Sequence, residues 1–187
     1  ARENEPTCIQ GLVQGVVGQF VKEDVAVDVF KTGRGRPWGE HHECCFCGTE
    51  RFFRPAYAGH LLDEWIPAMT GVEEKLKKGA IVADIGCGLG TSSMLMAEQY
   101  PNSTIHAFDF HGPSIEEAKK RAIEKGLSNL EFFVSDAAEI PKNSYDLACI
   151  FDAWHDMGDP VGIAKSIKET LADDGAFMVV EPMALDG

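Results

Sequence analysis

The stretch Val82-Ala83-Asp84-Ile85-Gly86-Cys87-Gly88-Leu89-Gly90-Thr91 decides the fold class of this chain. Apolar residues on both sides of Asp84 are typical of a buried strand, and glycines at alternate positions follow at once. Glycine adopts positive φ at little cost and lets the backbone approach a ligand closely. A helix that begins after Gly90 would add free N–H donors. The stretch therefore predicts a strand, a glycine loop that binds a small cofactor, and a helix.

The sequence beyond this stretch alternates short apolar runs with helical patterns, which is typical of a parallel sheet with crossover helices. Asp173-Asp174-Gly175 favours a turn before the last strand. The predicted strands cover 80–85, 104–108, 130–134, 145–151 and 176–180, and helices begin near Thr91, at Pro113 and near Val161. We predict an α/β fold for residues 79–187, with a Rossmann-like, mostly parallel sheet flanked by helices. A sheet of this type normally gains further strands after the fifth, so we expect a fragment that lacks the last two strands.

Residues 1–78 have a different character and form a predicted N-terminal segment that is mainly helical and caps the site. A first helix is indicated by apolar residues at helical spacing, although three glycines weaken the pattern. These apolar residues are Ile9, Leu12, Val13, Val16, Val17 and Phe20. A second amphipathic helix is predicted over 57–69. Residues 31–54 show no clean periodicity and are interpreted as an irregular loop.

Composition limits the partners. The formal net charge is −13 and the pI is near 4.8, which disfavours nucleic acid and anionic membrane surfaces. Every apolar run is too short for a transmembrane helix, and no secretory signal follows Ala1. Cys87 and Cys149 lie in apolar patterns, which is typical of reduced core cysteines. We therefore expect a cytoplasmic protein.

The spacing of the glycines separates two classes of cofactor site. A dinucleotide site of the form G-x-G-x-x-G would place its last glycine at position 91, where this chain has Thr91. The pattern D-x-G-x-G-x-G instead resembles the first motif of class I S-adenosylmethionine (SAM)-dependent methyltransferases, and the resemblance extends from Gly79 to Pro182. The resemblance implies SAM as cofactor and S-adenosylhomocysteine as product. It also implies that the loop wraps the methionine part, through Asp84, Gly86, Cys87, Gly88 and Gly90.

Further motifs of the family follow in order. Asp109 ends the second strand, where the resemblance implies an acid that binds both ribose hydroxyls, because a carboxylate can accept two hydrogen bonds from a diol. Phe110 would pack on the adenine. Asp136-Ala137 follow the third strand, where the family holds the adenine amino group. The fourth strand ends in Phe151-Asp152, so the resemblance places Phe151 against the cofactor and Asp152 and His155 near the transferred methyl.

The roles of two groups of residues stay open at this point. His155 is either a general base that removes a proton from the acceptor or a polar loop residue, since many methyl transfers need only alignment. The second group is a cluster of histidines and cysteines at residues 41–47, whose side chains are of the types that bind metals. Structural zinc sites, however, usually combine a C-x-x-C motif with a second, distant pair of ligands, and this sequence has no such second pair. We therefore predict no metal site for this group, which consists of His41, His42, Cys44, Cys45 and Cys47.

Three further motifs resemble a bacterial subgroup of methyltransferases with an N-terminal winged-helix-like segment. They are Trp38-Gly39-Glu40-His41-His42, Arg51-Phe52-Phe53-Arg54-Pro55 and residues 155–160. We predict a methyltransferase that acts on a small-molecule acceptor. A homodimer is one assembly that we consider for it. Two alternatives remain. A SAM-sensing module without turnover would carry the same loop, and a nicotinamide-dependent oxidoreductase is disfavoured by Thr91.

Overall fold

The computed structural model describes residues 2, 3, 5, 7–142 and 144–185. Ala1 and Gly187, which bound the predicted segments, lie outside the described residues. The chain forms two compact units, Ala1–Leu61 and Leu62–Gly187. The predicted boundary was at residues 78 and 79, so helix α4 (Val72–Lys78) belongs to the second unit. No helix in the described part of the chain has the length and apolar character needed to cross a membrane.

The first unit is helical. It contains α1 (Gln10–Val21), α2 (Glu23–Thr32) and α3 (Glu43–Ala56), with a short 3₁₀ turn at Trp38–Glu40. Helices α1 and α3 approach closely through glycines, because a Cβ on Gly48 would collide with the backbone of Gly15. The helix predicted from the apolar spacing at residues 9–20 is confirmed.

Two predictions for this region were wrong in detail. The predicted loop over 31–54 contains most of α3, which begins after His42, whose side chain accepts a hydrogen bond from the backbone N–H of Cys44 (3.2 Å). Gly48 within α3 is needed for the contact with α1, since a side chain there would collide with the α1 backbone. The predicted α-helix over 57–69 is a π-helix at Tyr57–Trp65. Pro55 precedes it, and a proline removes a backbone donor and disturbs the helical ladder.

The second unit contains a five-stranded parallel sheet in the order β3-β2-β1-β4-β5. The strands are β1 (Ile81–Ile85), β2 (Thr104–Asp109), β3 (Leu130–Val134), β4 (Tyr145–Phe151) and β5 (Leu171–Val180). Ile85 pairs with Phe108 on one side and Ile150 on the other, so the carboxyl ends of β1, β2 and β4 lie level with one another. The predicted Rossmann-like α/β fold is confirmed.

Helices α5 (Thr91–Gln99), α6 (Gly112–Glu124) and α7 (Pro160–Thr170) connect the strands. Strand β4 is buried along almost its whole length, which is typical of a parallel strand covered on both faces. One core cluster includes Ala83, Ile85, Phe108, Tyr145, Ile150 and Ile167, each 2% exposed or less. The core therefore fixes the strand ends on which the candidate site is built.

The last strand differs from the prediction. Residues 173–175 were predicted as a turn before a strand over 176–180, whereas β5 begins at Leu171. Leu171 pairs with Tyr145 and Ala176 with Leu147, so the intervening residues form a bulge beside β4. Gly175 lies there because a Cβ would stand 2.6 Å from the carbonyl oxygen of Tyr145. Residues 173–175 therefore form part of a bulge within β5 and not a turn before it.

Candidate functional site

The candidate site lies where the strand order reverses. β1 pairs with β2 on one side and β4 on the other, and chain order runs outward in both directions from this point. In open parallel sheets, ligands bind in the crevice outside the carboxyl ends of the strands at such a position. The carboxyl ends of β1, β2 and β4 therefore form the candidate ligand site.

The glycine loop between β1 and α5 adopts a backbone that requires glycine. Gly86, Gly88 and Gly90 have φ values of +74°, +53° and +78°. The N–H groups of Gly86 and Cys87 donate to the carbonyl oxygen of Phe108 (2.8 and 3.0 Å), which fixes the loop to the end of β2. A Cβ on Gly90 would stand 2.6 Å from the ring of Phe132, whereas no described residue has an atom within 4 Å of a Cβ on Gly88. Gly90 thus serves packing, and Gly88 faces open space.

Asp84 lies inside the protein, just before the loop. Its side chain is 1% exposed, and Oδ2 accepts hydrogen bonds from the hydroxyls of Ser92 (2.7 Å) and Ser93 (2.5 Å) at the start of α5. Among the residues that the structure describes, none forms a hydrogen bond with Oδ1. Burial raises the pKa of Asp84 to about 6, against the effect of both serine hydroxyls, and the nearby charge of Asp109 adds to the increase. The predicted contact of Asp84 with the cofactor stays a prediction.

Asp109 connects the end of β2 to the glycine loop. Its side chain is 7% exposed, Oδ2 accepts from the N–H of Gly88 (2.8 Å) and Oδ1 accepts from the N–H of His111 (2.8 Å). Each carboxylate oxygen has a second lone pair, so Asp109 retains acceptor capacity toward a diol. Phe110 follows directly and is 55% exposed. The structure thus brings Gly88 and Asp109 together, as the motif order predicted.

The other predicted cofactor residues occupy neighbouring strand ends. Asp136 is exposed, and its Oδ1 accepts from the N–H of Ala138 (2.8 Å), capping the 3₁₀ turn that begins at Ala137. Phe151 is 6% exposed and stacks on Trp65, with ring centroids 6.3 Å apart. Burial raises the pKa of the Cys87 thiol well above its usual range. Cys87 is therefore protonated at neutral pH.

The two predicted catalytic residues follow β4. Asp152 has a φ of +52°, which is uncommon for a residue with a side chain, and its N–H donates to the carbonyl oxygen of Val180 (2.8 Å). Burial raises the pKa of Asp152 to about 6, although His155 acts in the opposite direction. His155 is half-exposed, and its Nδ1 lies 2.6 Å from Oε2 of Glu181. This hydrogen bond is the main cause of the raised pKa of His155.

Glu181 is the site residue that the sequence reasoning missed. Its Oε1 accepts hydrogen bonds from the N–H groups of Ala153 (3.0 Å) and Trp154 (2.6 Å), while Oε2 contacts His155. The available signal was its position directly after β5, because carboxyl ends of neighbouring parallel strands meet at one edge. Asp152, His155 and Glu181 are the one group of described residues that brings three metal-ligating atoms within 4.8 Å of one another.

The histidines and cysteines of the first unit serve local contacts in the structure. His42 caps α3, and the amide nitrogen of Gln19 lies 3.5 Å from the sulfur of Cys45. The six cysteines of the chain, including Cys44 and Cys47, all lie within the described residues and form no disulfide with one another. Their predicted lack of a metal role stays a prediction.

Comparison with known proteins adds the family. A family described as a methyltransferase domain matches residues 76–186, which is more than half of the chain. The chain belongs to this methyltransferase family. The match spans the sheet, the glycine loop and the strand ends described above.

Two curated relatives of this methyltransferase domain have different substrates. A tRNA (guanine-N(7)-)-methyltransferase of Hydrogenovibrio crunogenus is 35% identical over 114 residues, covering 54% of this chain and 48% of the relative. A sterol 24-C-methyltransferase of Gibberella zeae is 29% identical over 167 residues, covering 87% of this chain and 41% of the relative. The chain thus spans less than half the length of both relatives.

Solved structures share the fold. The YcgJ protein of Bacillus subtilis is 26% identical with a TM-score of 0.53, covering 58% of this chain and 46% of that protein. A putative sarcosine dimethylglycine methyltransferase of Galdieria sulphuraria is 23% identical with a TM-score of 0.59, covering 67% and 47%. The second likeness concerns the fold alone. The resemblance to a winged-helix-bearing bacterial subgroup stays a prediction.

Proposed function

We propose that this methyltransferase domain binds SAM at the carboxyl ends of β1, β2 and β3 and transfers its methyl group to a small-molecule acceptor. The observation that carries the proposal is the hydrogen bond between the N–H of Gly88 and Oδ2 of Asp109. It joins the glycine loop and the strand-end acid into one unit at the position where the strand order reverses.

The residues present fit the cofactor. Open space at Gly88 leaves room for a ligand against the loop backbone, and α5 begins directly beyond it with its N–H groups toward the loop. Gly86, Cys87 and Gly88, with Asp84 behind them, would hold the methionine part, and the carboxylate of Asp109 would bind the ribose hydroxyls. The remaining contacts to the adenine and the reactive end would come from Phe110, Asp136, Ala137 and Phe151.

The chemistry at the end of β4 follows from the residues there. When bound, SAM supplies a methyl group on a positively charged sulfur, which is already a strong electrophile. Asp152 and His155 lie after β4 on the same edge of the sheet, where they would orient the acceptor. His155 would accept a proton from an acceptor that loses one, and it can do so only in its neutral form, above its raised pKa.

The charge distribution favours a small acceptor over RNA. Three basic residues lie close together on α6, where phosphates could bind, but each lies beside a glutamate on the same helix. Lys119 contacts Glu116 (3.3 Å), while Lys120 and Arg121 both contact Glu117 (3.4 and 3.0 Å). Together with a net charge of −13, this leaves α6 without an excess of positive charge for phosphates.

A guanine base in tRNA is the second candidate acceptor. It is favoured by the tRNA (guanine-N(7)-)-methyltransferases, which are 33–35% identical to this chain over about half its length. A methyl-transfer assay with radiolabelled SAM separates the two classes. We expect incorporation into small hydroxyl or amine compounds and none into bulk tRNA. Label in tRNA that ribonuclease releases would replace the proposed acceptor class.

Cofactor binding is tested by calorimetric titration with S-adenosylhomocysteine. We expect a Kd of about 1–10 μM, which corresponds to a binding free energy of about −8 to −7 kcal/mol. Asp109→Ala should weaken binding by about 100-fold or more, since charged hydrogen bonds contribute about 1.5–3 kcal/mol each. Asp173→Ala, which removes an exposed acid from the bulge of β5, is the matched control and should bind normally. A folded chain that does not bind S-adenosylhomocysteine would contradict the proposal.

A further inference from the structure

The turn after β4 is organised by a side chain from β5. Glu181 follows β5 and accepts hydrogen bonds from the backbone N–H groups of Ala153 and Trp154 through the same oxygen, Oε1. Its other oxygen, Oε2, lies 2.6 Å from Nδ1 of His155. One carboxylate therefore fixes both the backbone of the turn and the ring of His155.

This arrangement determines which nitrogen of His155 carries the proton. A carboxylate only accepts hydrogen bonds, so the short contact requires Nδ1 to be the donor. In the neutral ring, the lone pair then lies on Nε2, which is the nitrogen remote from Glu181. Nε2 stands 3.7 Å from Oδ1 of Asp156, beyond hydrogen-bond distance.

The charged groups around the ring all act in one direction. Glu181, Asp156 and Asp152 each raise the pKa of His155, and only partial burial opposes them. A neutral ring with its lone pair on Nε2 is a base, and a carboxylate at Nδ1 stabilises the imidazolium that forms when the base takes a proton.

We propose that Glu181 is a positioning residue that holds His155 in the Nδ1–H tautomer and leaves Nε2 to accept the proton of the methyl acceptor. The inference rests on the proposed function, because it assumes methyl transfer at this edge of the sheet. The acceptor's hydroxyl or amine loses a proton to Nε2, the resulting imidazolium keeps its hydrogen bond to Glu181, and the proton on Nε2 then passes to solvent.

The substitution Glu181→Gln tests this with a specific consequence. The two backbone donors at Ala153 and Trp154 require an acceptor, so the amide oxygen takes the place of Oε1 and the NH₂ group takes the place of Oε2. The NH₂ group then donates to Nδ1, and the neutral ring must carry its proton on Nε2. The variant thus inverts the tautomer and removes the negative charge, with almost no change in shape.

The measurement is ¹⁵N NMR of histidine-labelled protein across a pH titration, with the His155 signal assigned from His155→Asn. The wild-type chain should show the Nδ1–H tautomer at high pH. Glu181→Gln should show the Nε2–H tautomer and a lower pKa. Asp156→Asn is the matched control, because it removes a nearby charge but no hydrogen bond to Nδ1, and it should lower the pKa while keeping the wild-type tautomer.

The outcomes separate this inference from the proposed function. An Nε2–H tautomer in the wild-type chain, or an unchanged tautomer in folded Glu181→Gln, would overturn the role of Glu181. The wild-type measurement alone decides the matter if the variant does not fold. Titration of both proteins with S-adenosylhomocysteine reads the cofactor site independently: equal binding is expected, and binding by neither would overturn the proposed function whatever the tautomer.

Discussion

Two glycines of the cofactor loop offer a matched pair of substitutions. Gly88 and Gly90 both have positive φ, at +53° and +78°, so alanine is strained at either position. They differ in surroundings. A Cβ at Gly90 would stand 2.6 and 2.7 Å from two ring atoms of Phe132 and 3.2 Å from Cβ of Ala118. A Cβ at Gly88 would have no atom of the described part of the chain within 4 Å.

The geometry gives different magnitudes for the two variants. Left-handed backbone costs an alanine about 1–2 kcal/mol, and this is the whole expected loss of stability for Gly88→Ala. Gly90→Ala adds overpacking against Phe132, about 1–3 kcal/mol, for a sum of about 2–5 kcal/mol. At about 3 °C per kcal/mol for a chain of this length, Tm should fall by about 3–6 °C for Gly88→Ala and about 6–15 °C for Gly90→Ala.

Thermal unfolding and titration with S-adenosylhomocysteine together test this reasoning. The new methyl group of Gly88→Ala would occupy the open space assigned to the cofactor, so this milder variant should lose affinity by about tenfold or more. Gly90→Ala should be the less stable protein. Equal losses of stability in the two variants, or normal binding of S-adenosylhomocysteine by a stable Gly88→Ala, would refute the reasoning. In either case Gly90 would not be needed mainly for packing and Gly88 mainly for the cofactor.

Three further outcomes concern stability. In the first unit, Gly48→Ala should destabilise by about 2 kcal/mol or more, because its Cβ would collide with α1, whereas Gly15→Ala, with open space around its Cβ, should not; urea unfolding compares them. The free energy of unfolding should fall by about 2 kcal/mol between pH 4 and 6, because folded Asp84 keeps its proton to about pH 6 while the unfolded residue releases it near 3.8. Asp84→Asn should reduce this slope without abolishing it, since Asp152 acts with the same sign, and an unchanged slope in denaturant titrations would contradict the assignment. Asn129→Ala should cost about 1–3 kcal/mol in the same assay, because it removes the Nδ2 donor that lies within 3.2 Å of three backbone carbonyl oxygens, in α5 and in the loop that leads to β2.

The sheet could be predicted from the sequence because its signals are local. Strand β4 and strand β3 have the predicted bounds, since each is an apolar run between turn residues or charges. Helix α3 could not be predicted in this way. Glycine disfavours a helix, so Gly48 argues against one in the sequence. In the structure, Gly48 is required because α1 packs closely against it, and the local sequence does not reveal the position of α1.

In the candidate site, too, residues with a local sequence signal could be predicted and residues that depend on long-range contacts could not. Asp109 could be found because it ends a recognisable strand in a recognisable order of motifs. Glu181 ends a strand too, but its role depends on hydrogen bonds to residues 26–28 positions earlier in the chain. Such contacts form because β4 pairs with β5, and no periodic pattern in the sequence predicts them. The bulge at the start of β5 was missed for the same reason, because the local sequence of residues 173–175 is typical of a turn.

The hydrogen bond between Gly88 and Asp109 has a consequence for protein engineering. Under the proposed function, one carboxylate both holds the shape of the loop and recognises the nucleoside. Recognition of the sugar therefore cannot be redesigned independently of the architecture around it. A variant intended to accept an altered sugar would first need a replacement acceptor for the N–H of Gly88, for example from a neighbouring side chain, before Asp109 could be exchanged. Without that prior change, altered specificity and a collapsed loop would arise from the same substitution.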